Sequence, residues 1–193
     1  ARAAFRTPSA ALPPGCAYLH ANFFRLERPD YFAWAGRRPD VRPVFMLYDM
    51  LPLQHPDFFR PGEAALHRAR LETAARRGAM ILTSAGTVAA DLAAHFKSEN
   101  LPLPPIHTGR LPVEDIFHPA RAPASTPARP YFLVCGTIEP RKNHRLLLAV
   151  WDELVAALGE AAPCLVIAGR RGWRNEEVFA RLDHLGPLAR HVI

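Results

Sequence analysis

Tyr131-Phe132-Leu133-Val134-Cys135-Gly136-Thr137-Ile138-Glu139-Pro140-Arg141-Lys142-Asn143-His144 sets an apolar run, a glycine turn and an Arg-Lys pair directly ahead of an amphipathic segment. In that segment Leu147, Val150, Trp151, Leu154 and Leu158 recur at three- and four-residue steps, which predicts a helix. Asn143 is suited to cap its start and Gly159 to stop it. The helix therefore begins beside Lys142. Its free backbone N–H groups and the positive end of its dipole favour an anion there, and Gly136 allows the main chain to turn closely at the end of the strand. In open parallel sheets ligands sit at that carboxyl edge.

The basic pair suits the same chemistry. Lys142 is one of two lysines in a chain with 22 arginines, so it stands out as a compact ammonium, while Arg141 offers a planar fork for phosphate oxygens. Taken as a dipeptide alone, Arg141-Lys142 reads rather as a solvated basic turn, since so short a motif matches often by chance.

Working outward, strand and helix patterns alternate, which predicts an α/β protein with parallel sheets. Val44 to Tyr48 reads as a buried strand, Pro61 to Arg77 as a helix with a thin apolar stripe, and Ala79 to Thr83 as a second strand. Val88, Leu92 and Phe96 mark one helix face, and Pro105-Ile106-His107 is a weak strand candidate. Residues 119–130, rich in Pro, Ala, Ser and Thr, read as a linker between a first domain over 1–118 and a second over 131–193. In the second domain the pattern predicts strand Tyr131–Cys135, helix Asn143–Leu158, strand Cys164–Ala168 and a helix from about Asn175 to Leu185. Val192-Ile193 begins a further strand, and Trp151 reads as core.

Gly136-Thr137-Ile138-Glu139-Pro140-Arg141-Lys142-Asn143-His144, followed by Leu146-Leu147-Leu148 and then Val166-Ile167-Ala168-Gly169-Arg170-Arg171-Gly172-Trp173, resembles the start of the C-terminal domain of family 4 glycosyltransferases. Val44 through Pro52 with His55-Pro56 and Phe59, Ile81-Leu82-Thr83-Ser84 with Thr87 and Asp91-Leu92, and Leu111-Pro112-Val113 through Phe117-His118-Pro119 resemble earlier passages of that family, in the same order. The resemblance implies the GT-B fold, with parts of two Rossmann-like domains. It also implies transfer of a sugar from a nucleotide-diphosphate sugar, with retention, to a glycan or lipid-linked acceptor in cell-surface polysaccharide synthesis.

By position, Gly136, Arg141, Lys142 and Gly169 match the donor phosphate-binding residues of that family, and Tyr48, Asp49 and His55 fall in its acceptor-side segment. Two departures are visible. Thr137 stands where many members carry an arginine, and Tyr48-Asp49 replaces a common His-Asp pair. A tyrosine, with an ordinary pKa of roughly 10, can hydrogen-bond a sugar hydroxyl but is a poor base at neutral pH. The glutamate pair of the family would fall beyond Ile193, and Glu176-Glu177 is not that pair, so the catalytic residues are not assigned. These gaps lead us to expect an internal portion of a longer enzyme, inactive by itself. No cofactor or metal is expected, because there is no Asp-x-Asp and the nine histidines lack ligand spacing.

Composition fits this frame. The chain of 193 residues is 49 % hydrophobic, carries a formal net charge of +6 and has a pI near 9.8. Such basicity favours anionic partners: nucleotide-sugar phosphates, an anionic membrane surface, or nucleic acid. The arginines are scattered and not interleaved with aromatics, which argues against a nucleic-acid surface. No apolar run approaches the roughly 18 residues that span a bilayer, so the expected compartment is the cytoplasm, with the inner membrane face as a place of peripheral attachment. Cys16, Cys135 and Cys164 lack metal or redox spacing, and the last two fall in apolar strands, which predicts buried, reduced thiols. The alternative reading of the whole is a non-catalytic nucleotide-sugar- or partner-binding module.

Overall fold

A computed structural model describes residues 12–114 and 129–193. By contacts the chain separates into two compact units, Ala1–Pro56 with Pro61–Val113, and Asp57–Arg60 with Glu114–Ile193. The stretch expected to be a linker, 119–130, falls outside the described residues except for Arg129 and Pro130.

The first unit carries a four-stranded parallel sheet in the order β1 (Ala17–His20), β2 (Arg42–Met46), β3 (Met80–Thr83) and β4 (Ile106–Thr108). All residues of β2 after Arg42 are buried, as a central strand between two neighbours requires. Three helices accompany it: α1 (Leu51–Gln54), α2 (Glu63–Arg77) and α3 (Gly86–Ser98). Phe45, Leu71, Ala74, Ile81, Leu92 and Phe96 are wholly buried in one core, so the thin alanine stripe of α2 is a packing face. Burying a Leu or Phe side chain contributes about 1.5–3 kcal/mol, so these few residues carry much of the unit's stability.

Three elements here have no counterpart in the sequence pattern: β1, the four-residue α1, and a 3-10 segment over Pro29–Arg37. Ala-Tyr-Leu-His is too short to show a period, and among the described residues β1 pairs only with β2. The 3-10 segment inserts Phe32 and Trp34, both wholly buried. A three-residue turn places apolar residues at a spacing that neither the helical nor the strand period picks out.

In the second unit β5 (Tyr131–Cys135) and β6 (Cys164–Ala168) pair in parallel from Tyr131↔Cys164 to Cys135↔Ala168, joined by α4 (His144–Leu158) and followed by α5 (Glu176–Asp183). Leu148, Trp151, Leu165, Val178, Leu188 and Val192 form its core. The Trp151 indole N–H donates to the Pro163 carbonyl at 2.9 Å, which satisfies the polar edge of a buried ring. Arg129 donates to the carbonyls of Glu160 and Ala162, both at 2.8 Å, and so ties the entry of β5 to that of β6. Val192 bridges Leu165 in parallel on the other side of β6 and starts the expected third strand.

One expectation fails outright. Cys164 is buried but Cys135 is exposed, as are Tyr131, Phe132 and Leu133, because β5 pairs only with β6 among the described residues. An apolar sequence identifies a strand without saying that both of its faces are covered.

Candidate functional site

At the carboxyl edge of β5 the chain turns at Gly136, whose φ of +130° is left to glycine, and Gly136 N–H donates to the Ala168 carbonyl at 2.9 Å. Gly169, just past β6, lies directly beneath: a Cβ there would stand 1.9 Å from the Gly136 oxygen, so any side chain would force the two loops apart. Ile138 N–H donates to Arg170 O at 2.9 Å and Gly172 N–H to Ile138 O at 3.0 Å, which continues the pairing of the two loops beyond the strands.

Pro140–Lys142 forms a single 3-10 turn that leads into α4. Asn143 adopts the left-handed conformation (φ +50°) and its side chain accepts from Leu146 N–H at 3.4 Å, capping α4 as expected. This geometry folds the Lys142 side chain back over Gly136. A Cβ built on Gly136 would meet Lys142 Cε at 3.7 Å and Nζ at 3.9 Å. Gly136, Lys142 and Gly169 are thus brought together, with an ammonium beside the start of a 15-residue helix.

Arg141, read as a planar fork for phosphate oxygens, carries a carboxylate partner. Its guanidinium pairs with Glu139 at 2.6 Å, and Glu139 is only 1 % exposed. The first residue of α4, His144, is also buried, with no partner for either ring nitrogen among the described residues. Burial pushes its pKa below the usual histidine value, and the Lys142 charge acts in the same direction against a smaller opposing effect of Glu139. His144 is therefore a neutral ring beside the cations at neutral pH.

In the first unit Tyr48 and Asp49 follow β2 at its carboxyl edge. The Tyr48 hydroxyl donates to the Ala21 carbonyl at 2.5 Å, so its proton is already committed. Asp49 Oδ1 accepts from Leu51 N–H at 3.0 Å and fixes the start of α1. His55 is exposed at the far end of that short helix, with its backbone N–H donating to the Leu51 carbonyl at 2.8 Å.

Sequence reasoning missed two residues that organise these positions. Glu139 lies inside the decisive motif, and its signal was an acid two places before an arginine across a proline turn. His67, wholly buried on α2, is 3.0 Å from the Asp49 carbonyl through Nε2. A carbonyl can only accept, so Nε2 carries the proton. Nothing in the sequence near Asp49 points to it.

Among the described residues no three His, Cys, Asp or Glu side chains are grouped to hold a metal ion, and no helix is long and apolar enough to cross a membrane.

No protein-family profile matches the chain. Among solved structures, the crystal structure of TarM superposes with a TM-score of 0.63 at 16 % identity, over 92 % of this chain and 32 % of that one. The fold is GT-B-like. Among curated proteins, two forms of the serotype-specific mannosyltransferase WbdA of Escherichia coli are 29 % and 28 % identical over 154 and 155 residues. Each alignment takes in 72 % of this chain and 19 % of the relative, so the chain spans about a fifth of the length of the curated relatives it matches.

Proposed function

We propose that this chain is part of a retaining glycosyltransferase of family 4 that moves a sugar from a nucleotide-diphosphate sugar to a glycan or lipid-linked acceptor in cell-surface polysaccharide synthesis. The single observation that carries the reading is the Lys142 ammonium lying over Gly136 at the carboxyl edge of β5, beside the N-terminus of α4. The similarity to mannosyltransferases supports it and points to a nucleotide-activated hexose as donor. As the glycosidic bond breaks, negative charge gathers on the departing diphosphate. Fixed N–H donors and a preplaced cation stabilise that charge more than the ground state. In this reading Lys142 meets a phosphate oxygen, Gly136 and Gly169 let the backbone approach, and Tyr48 and Asp49 shape the acceptor side. With its hydroxyl spent on Ala21, Tyr48 offers the acceptor an oxygen lone pair and an aromatic face.

The test is calorimetric titration of the full-length protein with UDP and GDP, for the wild type and Lys142→Ala. One charge-assisted contact contributes about 1.5–3 kcal/mol, so the variant should bind roughly ten- to 150-fold more weakly. Unchanged affinity would remove the reading.

A further inference from the structure

We propose that Glu139 is a positioning residue for the donor diphosphate, acting through Arg141; the inference rests on the functional reading above. A carboxylate in an anion site is unfavourable unless it does something for the cations, and three observations say what it does. Glu139 is 1 % exposed and pairs with Arg141 at 2.6 Å, although Arg141 itself is 37 % exposed and could have been fully solvated. Its other oxygen, Oε2, has no partner among the described residues, so this carboxylate is kept buried without a full complement of hydrogen bonds. The backbone under it is clamped. Gly172 donates to Ile138 O at 3.0 Å, and a Cβ on Gly172 would stand 2.7 Å from Thr137 Cγ2 and 3.4 Å from Glu139 Cβ.

The physical sense is preorganisation. A free arginine has rotamer entropy to lose when it grips a phosphate, and a guanidinium already fixed by one carboxylate loses less. Arg141 has five N–H donors, and a carboxylate engages at most two, so donors remain for phosphate oxygens. Lys142 is not held in this way. Its Nζ makes no ion pair among the described residues and lies over Gly136 instead.

The proposal fixes the sign of a charge experiment. If Glu139 merely neutralised Arg141, Glu139→Gln would remove repulsion and tighten diphosphate binding. If it positions Arg141, the same variant weakens binding despite the more positive site. UDP and GDP are titrated into the full-length wild type, Glu139→Gln, Arg141→Ala and the double variant. We expect at least fivefold weaker binding for Glu139→Gln and no further loss when it is added to Arg141→Ala. Equal or tighter binding by Glu139→Gln, or fully additive losses in the double variant, would overturn the proposal. Should Glu139→Gln fail to fold, Glu139→Asp, which keeps the charge but shortens its reach, must also weaken binding; wild-type affinity in that variant overturns the proposal equally. Loss of binding in Lys142→Ala with wild-type binding in Glu139→Gln would reject this inference and leave the functional reading standing.

Discussion

A buried histidine is tolerated as the neutral ring and resisted as the cation, and His67 combines that cost with a structural duty. It sits wholly buried under Asp49, donating from Nε2 to the Asp49 carbonyl, while Nδ1 has no partner among the described residues. Burial is the main cause that lowers its pKa, outweighing the hydrogen bond and the Asp49 charge that act upward. A folded-state pKa below the unfolded value of about 6.5 means that the unfolded chain binds the extra proton first. Stability therefore falls as pH drops below about 6.5, and is recovered above it. His67→Gln keeps a donor for the carbonyl but cannot titrate. We predict a smaller loss in melting temperature between pH 7.5 and 5.5 for this variant than for the wild type. An identical loss would show that His67 does not carry the effect. Glu139 belongs to the same scale: one buried carboxylate changes Arg141 from a solvated cation into a fixed one.

At the scale of elements, the turn from β5 into α4 builds the candidate site, and Asn143 is its pivot. The residue must enter the left-handed region and cap the helix at once, two tasks that asparagine tolerates better than most. Asn143→Ala should cost about 1–2 kcal/mol in urea denaturation, from the lost cap and the strained backbone, whereas Asn143→Gly should lose less because glycine accepts the conformation. Equal losses for the two would contradict this account of the turn. The same element shows what sequence could reveal. The ends of β5, β6 and α4 were legible because an unbroken apolar run, a capping Asn and a terminal Gly each have a direct physical cause in the residues. The placement of Lys142 was legible for the same reason, as it lies between a glycine turn and a helix start. β1 and the Pro29–Arg37 segment were not legible, since four residues hold no period and a 3-10 turn follows neither period. Nor was the pairing of Arg141 with Glu139, which depends on how a proline turn aims two side chains, or the exposure of Cys135, which depends on what lies beside β5.

At the scale of the molecule, each unit is a parallel α/β layer with its candidate residues just beyond the carboxyl ends of its strands: Tyr48 and Asp49 in the first, Gly136, Lys142 and Gly169 in the second. That placement follows from the topology, because parallel strands leave their loops and helix N-termini at one edge, where a phosphate or a sugar hydroxyl can meet them. The central claim is that the second unit's edge holds the diphosphate of a sugar donor during transfer. The most direct measurement is sugar transfer by the full-length protein from a panel of radiolabelled nucleotide-diphosphate sugars, comparing the wild type with Lys142→Ala. The account predicts transfer from at least one donor and at least a tenfold drop in kcat/KM for the variant, the lower bound of a lost contact of about 1.5–3 kcal/mol. Transfer at the wild-type rate by Lys142→Ala, or no transfer from any donor by the wild type, would contradict it.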